Sequence, residues 1–153
     1  MNRSRLKICV VTGSRAEYGL FFPLLTLLKK DKQIMLQVIV TGMHLSPEFG
    51  LTWKQIQSDG FTINKKVDML LSADTHTAIT KSTGIGLMGM ADAMEQLRPD
   101  WIILLGDRFE TFAAAVASHL AKIPIAHLHG GELTEAATDD AMRHAITKMA
   151  YLH

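Results

Sequence analysis

The 153-residue chain predicts an α/β fold, a doubly wound, Rossmann-like parallel sheet of order 3-2-1-4-5. Two observations carry that reading. Short apolar runs alternate with stretches of helical periodicity along the whole chain, and strands separated by helices pair in parallel through right-handed crossovers. The apolar runs also end in glycines beside charged or imidazole side chains, as strand tips that face a ligand do.

The elements follow in order. Residues 6–12 (LKICVVT) read as a buried strand. Leu20, Leu24, Leu27 and Leu28 then recur at helical spacing, and Lys29 and Lys30 suit the negative end of that helix. Residues 35–41 form a second strand, 50–58 a short helix stopped by Gly60, and 61–67 a third strand. Leu87, Met90, Met94 and Leu97 mark a helix that ends before Pro99. Residues 101–105 are a fourth strand, 113–121 an alanine-rich helix and 123–128 a fifth strand. Met142, Ala145, Ile146 and Met149 make the apolar face of a last helix. Its periodicity runs on toward His153 without a closing glycine or polar cap. The chain is therefore expected to be one domain, residues 1–153, at the front of something longer.

Bulk properties narrow the classes. Hydrophobic residues at 48% and charged residues at 20% allow a sizeable core and argue against disorder. The net charge of +1, with no block of like charges, gives no push toward nucleic acid or an anionic membrane. No apolar stretch reaches the roughly 18 residues a span needs. The basic-then-apolar opening is too short for a signal peptide, so the expected location is the cytoplasm. Cys9, the one cysteine, lies in an apolar run and is expected to be a small buried hydrophobe.

In a doubly wound sheet the ligand sits where strand order reverses, here between strands 1 and 4. Strand 1 runs into Gly13, Ser14, Arg15 and Glu17, and strand 4 into Gly106, Asp107, Arg108 and Glu110. Strand 5 runs into His129, Gly130, Gly131 and Glu132, and strand 2 into Gly42 and His44. All four tips are expected to meet at one crevice. Glycines let the backbone approach a phosphate, and free amides at a helix start favour an anion. Arg15 and Arg108 offer paired donors for a diphosphate. Asp107, Glu132, Asp139 and Asp140 supply carboxylates for proton transfer. Arg143, four residues after Asp139, is placed to position that carboxylate or to touch the substrate. Against each stands a plainer role: helix-start charges for Glu17, Glu110 and Asp139, and a solvated face for Arg143.

Two motifs mislead. Residues 84–89 (GIGLMG) match G-x-G-x-x-G, but they fall in a helical pattern with no strand before them, so helix packing or a flexible joint explains them better than a dinucleotide. His127 and His129 alternate with the spacing of two zinc ligands on one strand face, but no second cysteine completes a site and no metal is expected. A phospho-receiver or flavodoxin-like domain would need an acidic cluster or flavin loop after strand 1, where this chain has TGSR.

The segments VTGSRAEYG (11–19), TGMHLSPEFG (41–50), LGDRFE (105–110), HLHGGE (127–132) and DDAMRHAITKMA (139–150) resemble, in order, the hydrolysing UDP-N-acetylglucosamine 2-epimerases. The resemblance implies the first of two Rossmann-like domains, arranged as in B-type glycosyltransferases, with a nucleotide-sugar substrate between them. It implies elimination of UDP across C1 and C2 to 2-acetamidoglucal, then addition of water to give N-acetylmannosamine in sialic-acid-type biosynthesis. No redox cofactor is implied. The full-length protein would be a homo-oligomer, and one domain alone would be inactive. Arg15 corresponds to an arginine on the nucleotide phosphates, Asp107 and Asp139 to catalytic carboxylates, and Arg143 to the arginine after the second. A glutamate stands at the position of His129 in the animal enzyme and the non-hydrolysing relatives, so the role falls to His129 or to Glu132. Two alternatives remain: the same chemistry on a UDP- or GDP-linked 2,4-diacetamido-trideoxyhexose, or a non-catalytic nucleotide-sugar-binding module.

Overall fold

The computed structural model describes residues 4–133 and 137–153, so residues 1–3 of the basic opening lie outside it. Five parallel strands stand in the order β3-β2-β1-β4-β5. They are β1 (Leu6–Thr12), β2 (Ile34–Thr41), β3 (Lys65–Val67), β4 (Trp101–Leu105) and β5 (Ile125–Leu128). The helices between and after them are α1 (Arg15–Lys30), α2 (Trp53–Ser58), α3 (His76–Leu97), α4 (Phe109–Leu120) and α5 (Ala137–Met149). β1 pairs with both β2 and β4, so the reversal of strand order falls where the sequence puts it.

The alternation of side chains along the strands divides the interior in two. Cys9 and Val11 face one side with Ile39, Ile102 and Leu104, where they meet Met90 and Met94 of α3, the alanines of α4 and Ile146 of α5. Val10, Val38 and Val40 face the other side and meet Tyr18, Phe21, Leu25 and Leu28 of α1 and Ile56 of α2. Ala113, Ala114, Ala115 and Ala117 are all buried. These small residues let α4 lie close to α3 and the sheet, as the alanine-rich run suggested. Cys9 is buried, and that burial pushes its thiol well above the usual range.

The misleading glycine run lies mid-helix in α3. A Cβ on Gly86 would lie 2.5 Å from Met69 Cε, and one on Gly89 2.6 Å from Val67 Cγ1, so the glycines serve packing against β3 and the chain just after it. Among the described residues, no helix is long and apolar enough to cross a membrane.

Five boundaries correct the expectations, of which two are simple: α4 begins at Phe109, not residue 113, and β5 at Ile125, not residue 123. The third strand begins at Lys65, not residue 61, because Phe61 turns into the core against Tyr18 and Phe22. Asn64 Oδ1 meanwhile accepts from the Val38 amide. The second helix begins at Trp53, not residue 50, because Gly50 (φ 83°) and Leu51 (φ 50°) are left-handed. The last helix stops at Met149 instead of running on. Tyr151 N–H donates to Ile125 O and His127 N–H to Leu152 O, and Tyr151 packs edge-on against Trp101 at 5.6 Å.

Candidate functional site

At the tip of β1, Ser14 caps α1, its Oγ accepting from Glu17 N–H at 3.4 Å. The Ser-x-x-Glu spacing is that of a capping box, but Glu17 reaches one residue further back and accepts from Gly13 N–H at 2.7 Å. Glu17 is 7% exposed, and its Oε1 has no hydrogen-bond partner among the described residues. Its neighbours are Arg108, with Nε 3.9 Å from Oε1, and Glu110. Burial pushes the Glu17 carboxyl up to about 7; the Gly13 amide and Arg108 oppose that rise and Glu110 adds to it.

Glu110, in the first turn of α4, takes both arms of Arg108, from Nε at 3.2 Å and from Nη2 at 2.9 Å. Two glycines make room for it. A Cβ on Gly13 would lie 3.3 Å from Glu110 Cβ, and one on Gly42 (φ 56°) only 2.8 Å from Glu110 Oε1. The tips of β1, β2 and β4 thus close around one buried carboxylate.

His44 sits beneath this corner, fully buried. Its Nε2 lies 3.0 Å from Thr12 Oγ1 and its Nδ1 2.7 Å from Thr52 Oγ1. Burial holds the ring down at about 4 against the opposing pull of the Ser14 backbone, so it is neutral at physiological pH. It braces the β2 tip from below and does not line the crevice wall in this conformation.

A second charged chain runs from β4 to β5. Arg143 of α5 donates from Nε to Asp107 Oδ2 at 3.1 Å and from Nη2 to the same oxygen. Its Nη1 donates to Glu132 Oε2 at 3.2 Å, and Glu132 Oε1 meets His129 Nδ1 at 3.0 Å. The β5 tip is pinned by His127, which pairs with Gly106 O at 2.7 Å and Thr147 Oγ1 at 3.0 Å. Thr147 Oγ1 in turn accepts from Gly131 N–H at 3.1 Å. Gly130 fits only as glycine, because a Cβ there would lie 2.9 Å from His127 Nδ1. Burial holds the His127 ring below its ordinary range, against the pull of the Gly106 carbonyl. His127 and His129 have separate partners.

The expected residues therefore divide between two corners joined at the adjacent Asp107 and Arg108. Gly13, Ser14, His44 and Arg108 belong to the first, and Asp107, His129, Gly130, Gly131, Glu132 and Arg143 to the second. Arg15 is exposed at the start of α1 with no partner among the described residues. Asp139 is exposed in the first turn of α5, close enough for its charge to act on Arg108. Two expectations change. Arg108 stays 40% exposed, but its Nε and Nη2 already donate to Glu110, so it meets the crevice as a paired cation and not as a free fork. Arg143 does not hold Asp139 either, because its guanidinium turns to the strand tips. Glu17, Glu110, His127 and Thr147 organise the corners, although helix-start or core roles were the plainer expectation for the first three. The Ser-x-x-Glu box was the signal available for Glu17.

Fold and site together define a doubly wound α/β domain whose charges converge at the switch point. Residues 26–153 match the family model described as UDP-N-acetylglucosamine 2-epimerase, and the chain belongs to that family. It is 46% identical over 150 residues to a GDP/UDP-N,N'-diacetylbacillosamine 2-epimerase (hydrolyzing) of Campylobacter jejuni, covering 98% of this chain and 39% of the relative. It is 41% identical over 147 residues to a UDP-N,N'-diacetylbacillosamine 2-epimerase (hydrolyzing) of Legionella pneumophila, covering 96% of this chain and 39% of that relative. The fold is also that of a UDP-GlcNAc 2-epimerase from Neisseria meningitidis solved bound to UDP-GlcNAc. There the TM-score is 0.82 at 24% identity, over 97% of this chain and 40% of that one. The chain thus spans about two fifths of the length of the relatives it matches.

Proposed function

We propose that this chain is the part of a hydrolysing nucleotide-sugar 2-epimerase that grips the diphosphate and moves the proton at C2 of a 2-acetamido sugar. One observation carries the reading: the two corners invert each other's burial. In the first, the acids are buried and the base is shown, with side-chain exposures of 8% for Glu17, 1% for Glu110 and 40% for Arg108. In the second, the base is buried and the acids are shown, with 10% for Arg143, 19% for Asp107 and 57% for Glu132.

The first corner offers a crevice cationic groups, Arg108 and Arg15, beside the amides of the α1 start. Those suit a diphosphate and the negative charge that develops as it leaves. The second offers Asp107, Glu132 and His129, with Asp139 nearby on α5, as groups to take and return protons. Elimination of the nucleoside diphosphate followed by hydration needs these two kinds of group on either side of the C1–C2 bond.

Identity of 46% and 41% to epimerases named for diacetylbacillosamine favours a 2,4-diacetamido sugar as substrate, with UDP-N-acetylglucosamine as the other candidate. The test is to incubate the full-length protein with each nucleotide sugar in deuterated water and follow the products by NMR. Free nucleoside diphosphate with the 2-epimeric sugar deuterated at C2 is expected. Release of neither product from either substrate would leave a non-catalytic binding module.

A further inference from the structure

We propose that His129 takes the C2 proton, with Glu132 and Arg143 as the residues that position it. This rests on the 2-epimerase reading above and names its proton acceptor. Glu132 is spoken for at both oxygens: Arg143 donates to Oε2, and Oε1 faces His129 Nδ1. As an acceptor on both sides, Glu132 requires Nδ1 to carry the hydrogen. The neutral ring then has its lone pair on Nε2, which has no partner among the described residues, on a side chain that is half exposed. Asp107 has one oxygen loaded with two N–H groups of Arg143, itself anchored in the protein. Each member of the chain therefore orients the next, and the unpaired nitrogen stands at the end.

The backbone agrees. His129 has φ 57°, in the left-handed region where side chains other than glycine are held at a cost. Glycines follow directly, so the turn carries a side chain at a position where glycine would be unstrained. The charged and titratable groups around the ring are Glu132 on its own loop, Arg143 of α5 and Asp107 at the end of β4, with His127 and His153 beside Gly130 and Gly131.

In the elimination, Nε2 takes the proton from C2. The C–H electron pair becomes the C1–C2 double bond, the C1–O bond breaks, and its pair leaves with the nucleoside diphosphate. The imidazolium holds the proton, with Nδ1–H on Glu132, and passes it to solvent, so the proton returned to C2 comes from water.

The test uses the full-length protein with UDP- and GDP-linked 2,4-diacetamido sugars and with UDP-N-acetylglucosamine, reading release of the nucleoside diphosphate. His129→Gly is expected to fold normally and to lower kcat about 100- to 10,000-fold with KM little changed, the usual weight of a general base. Glu132→Gln keeps an acceptor for Nδ1–H and removes the charge. It is expected to lower kcat less, by about 10- to 100-fold, with KM little changed. The inference is overturned if folded His129→Gly stays within tenfold of the parent, or if Glu132→Gln loses more kcat than His129→Gly, which would make the carboxylate the acceptor. No nucleoside diphosphate release from any of the three substrates by the unsubstituted protein would instead bring down the 2-epimerase reading itself, and this inference with it.

Discussion

The corner at the tips of β1, β2 and β4 and the corner between β4, β5 and α5 are made from the same parts, carboxylates around one guanidinium. They differ in which sign is taken out of water. A buried carboxylate depends on its counter-charge, because removing one partner leaves an uncompensated charge in a poorly solvated place. An exposed carboxylate keeps water as a partner whatever happens to the arginine. Breaking the first corner should therefore cost the more stability, besides what it takes from diphosphate binding, and breaking the second should show first in proton transfer, although they meet at consecutive residues.

The largest effect should come from Arg108→Met, which leaves Glu17 and Glu110 without their shared cation. A loss of about 3 kcal/mol in unfolding free energy at pH 8 is expected from denaturant midpoints. A loss below about 1 kcal/mol would erase the proposed contrast.

Glu17→Gln should be nearly as large, but only over part of the pH range. The Glu17 carboxyl is raised to about 7 in the fold, so the folded state binds the extra proton and stability falls as pH rises from about 4.5 to 7. His44 is held down at about 4, so its contribution runs the opposite way, rising as pH climbs from 4 to 6.5. The two slopes oppose each other, each worth on the order of 3 kcal/mol. The parent should be almost flat across that interval. The variant should gain stability up to about pH 6.5 and then hold it, and a variant profile as flat as the parent's would show that Glu17 is not the group responsible.

Arg143→Met should cost less in stability, about 1–2 kcal/mol, because water reaches Asp107 and Glu132. Its activity should nonetheless fall steeply, which separates the corners most cleanly. His129→Gly should be the smallest change in stability and of opposite sign, a gain of up to about 1 kcal/mol from relieving the left-handed backbone. A thermal melt that falls by several degrees would mean the imidazole holds the turn together.

Much of this architecture is legible in the residues. The runs of Val, Ile and Leu in β1, β2 and β4 are nearly continuous because both faces of those strands are buried, and that pattern survives any uncertainty about neighbours. The glycines and charges at their ends likewise identify the crevice. The sense in which each side chain turns is not legible. Glu17 and Glu110 look like ordinary helix-start charges until Gly13 and Gly42 are seen to leave space for a carboxylate. His44 looks like a ligand-facing imidazole until Thr12 and Thr52 are seen to use both nitrogens. Asp139 and Arg143 share a helix face by spacing, but the guanidinium bonds to residues distant in sequence. The early start assigned to β3 failed for a related reason: an apolar run containing Phe61 reads as strand, whereas the ring was packing under α1.

The short return of the chain along β5 has a bearing on solubility. A parallel sheet has two open borders, each a row of unpaired amides and carbonyls that can recruit a strand from another molecule. On one border, β3 pairs over only three residues and carries Lys65 and Lys66, which is little template and the wrong charge for self-association. On the other, Tyr151 and Leu152 lie alongside β5 through the Ala126–Leu152 bridge and occupy the bonds a stranger would need. The same few residues that end α5 therefore occupy this border of the sheet, so Leu152→Pro, which removes the amide that donates to Ile125 O, should show first as aggregation on concentration, ahead of any loss of secondary structure.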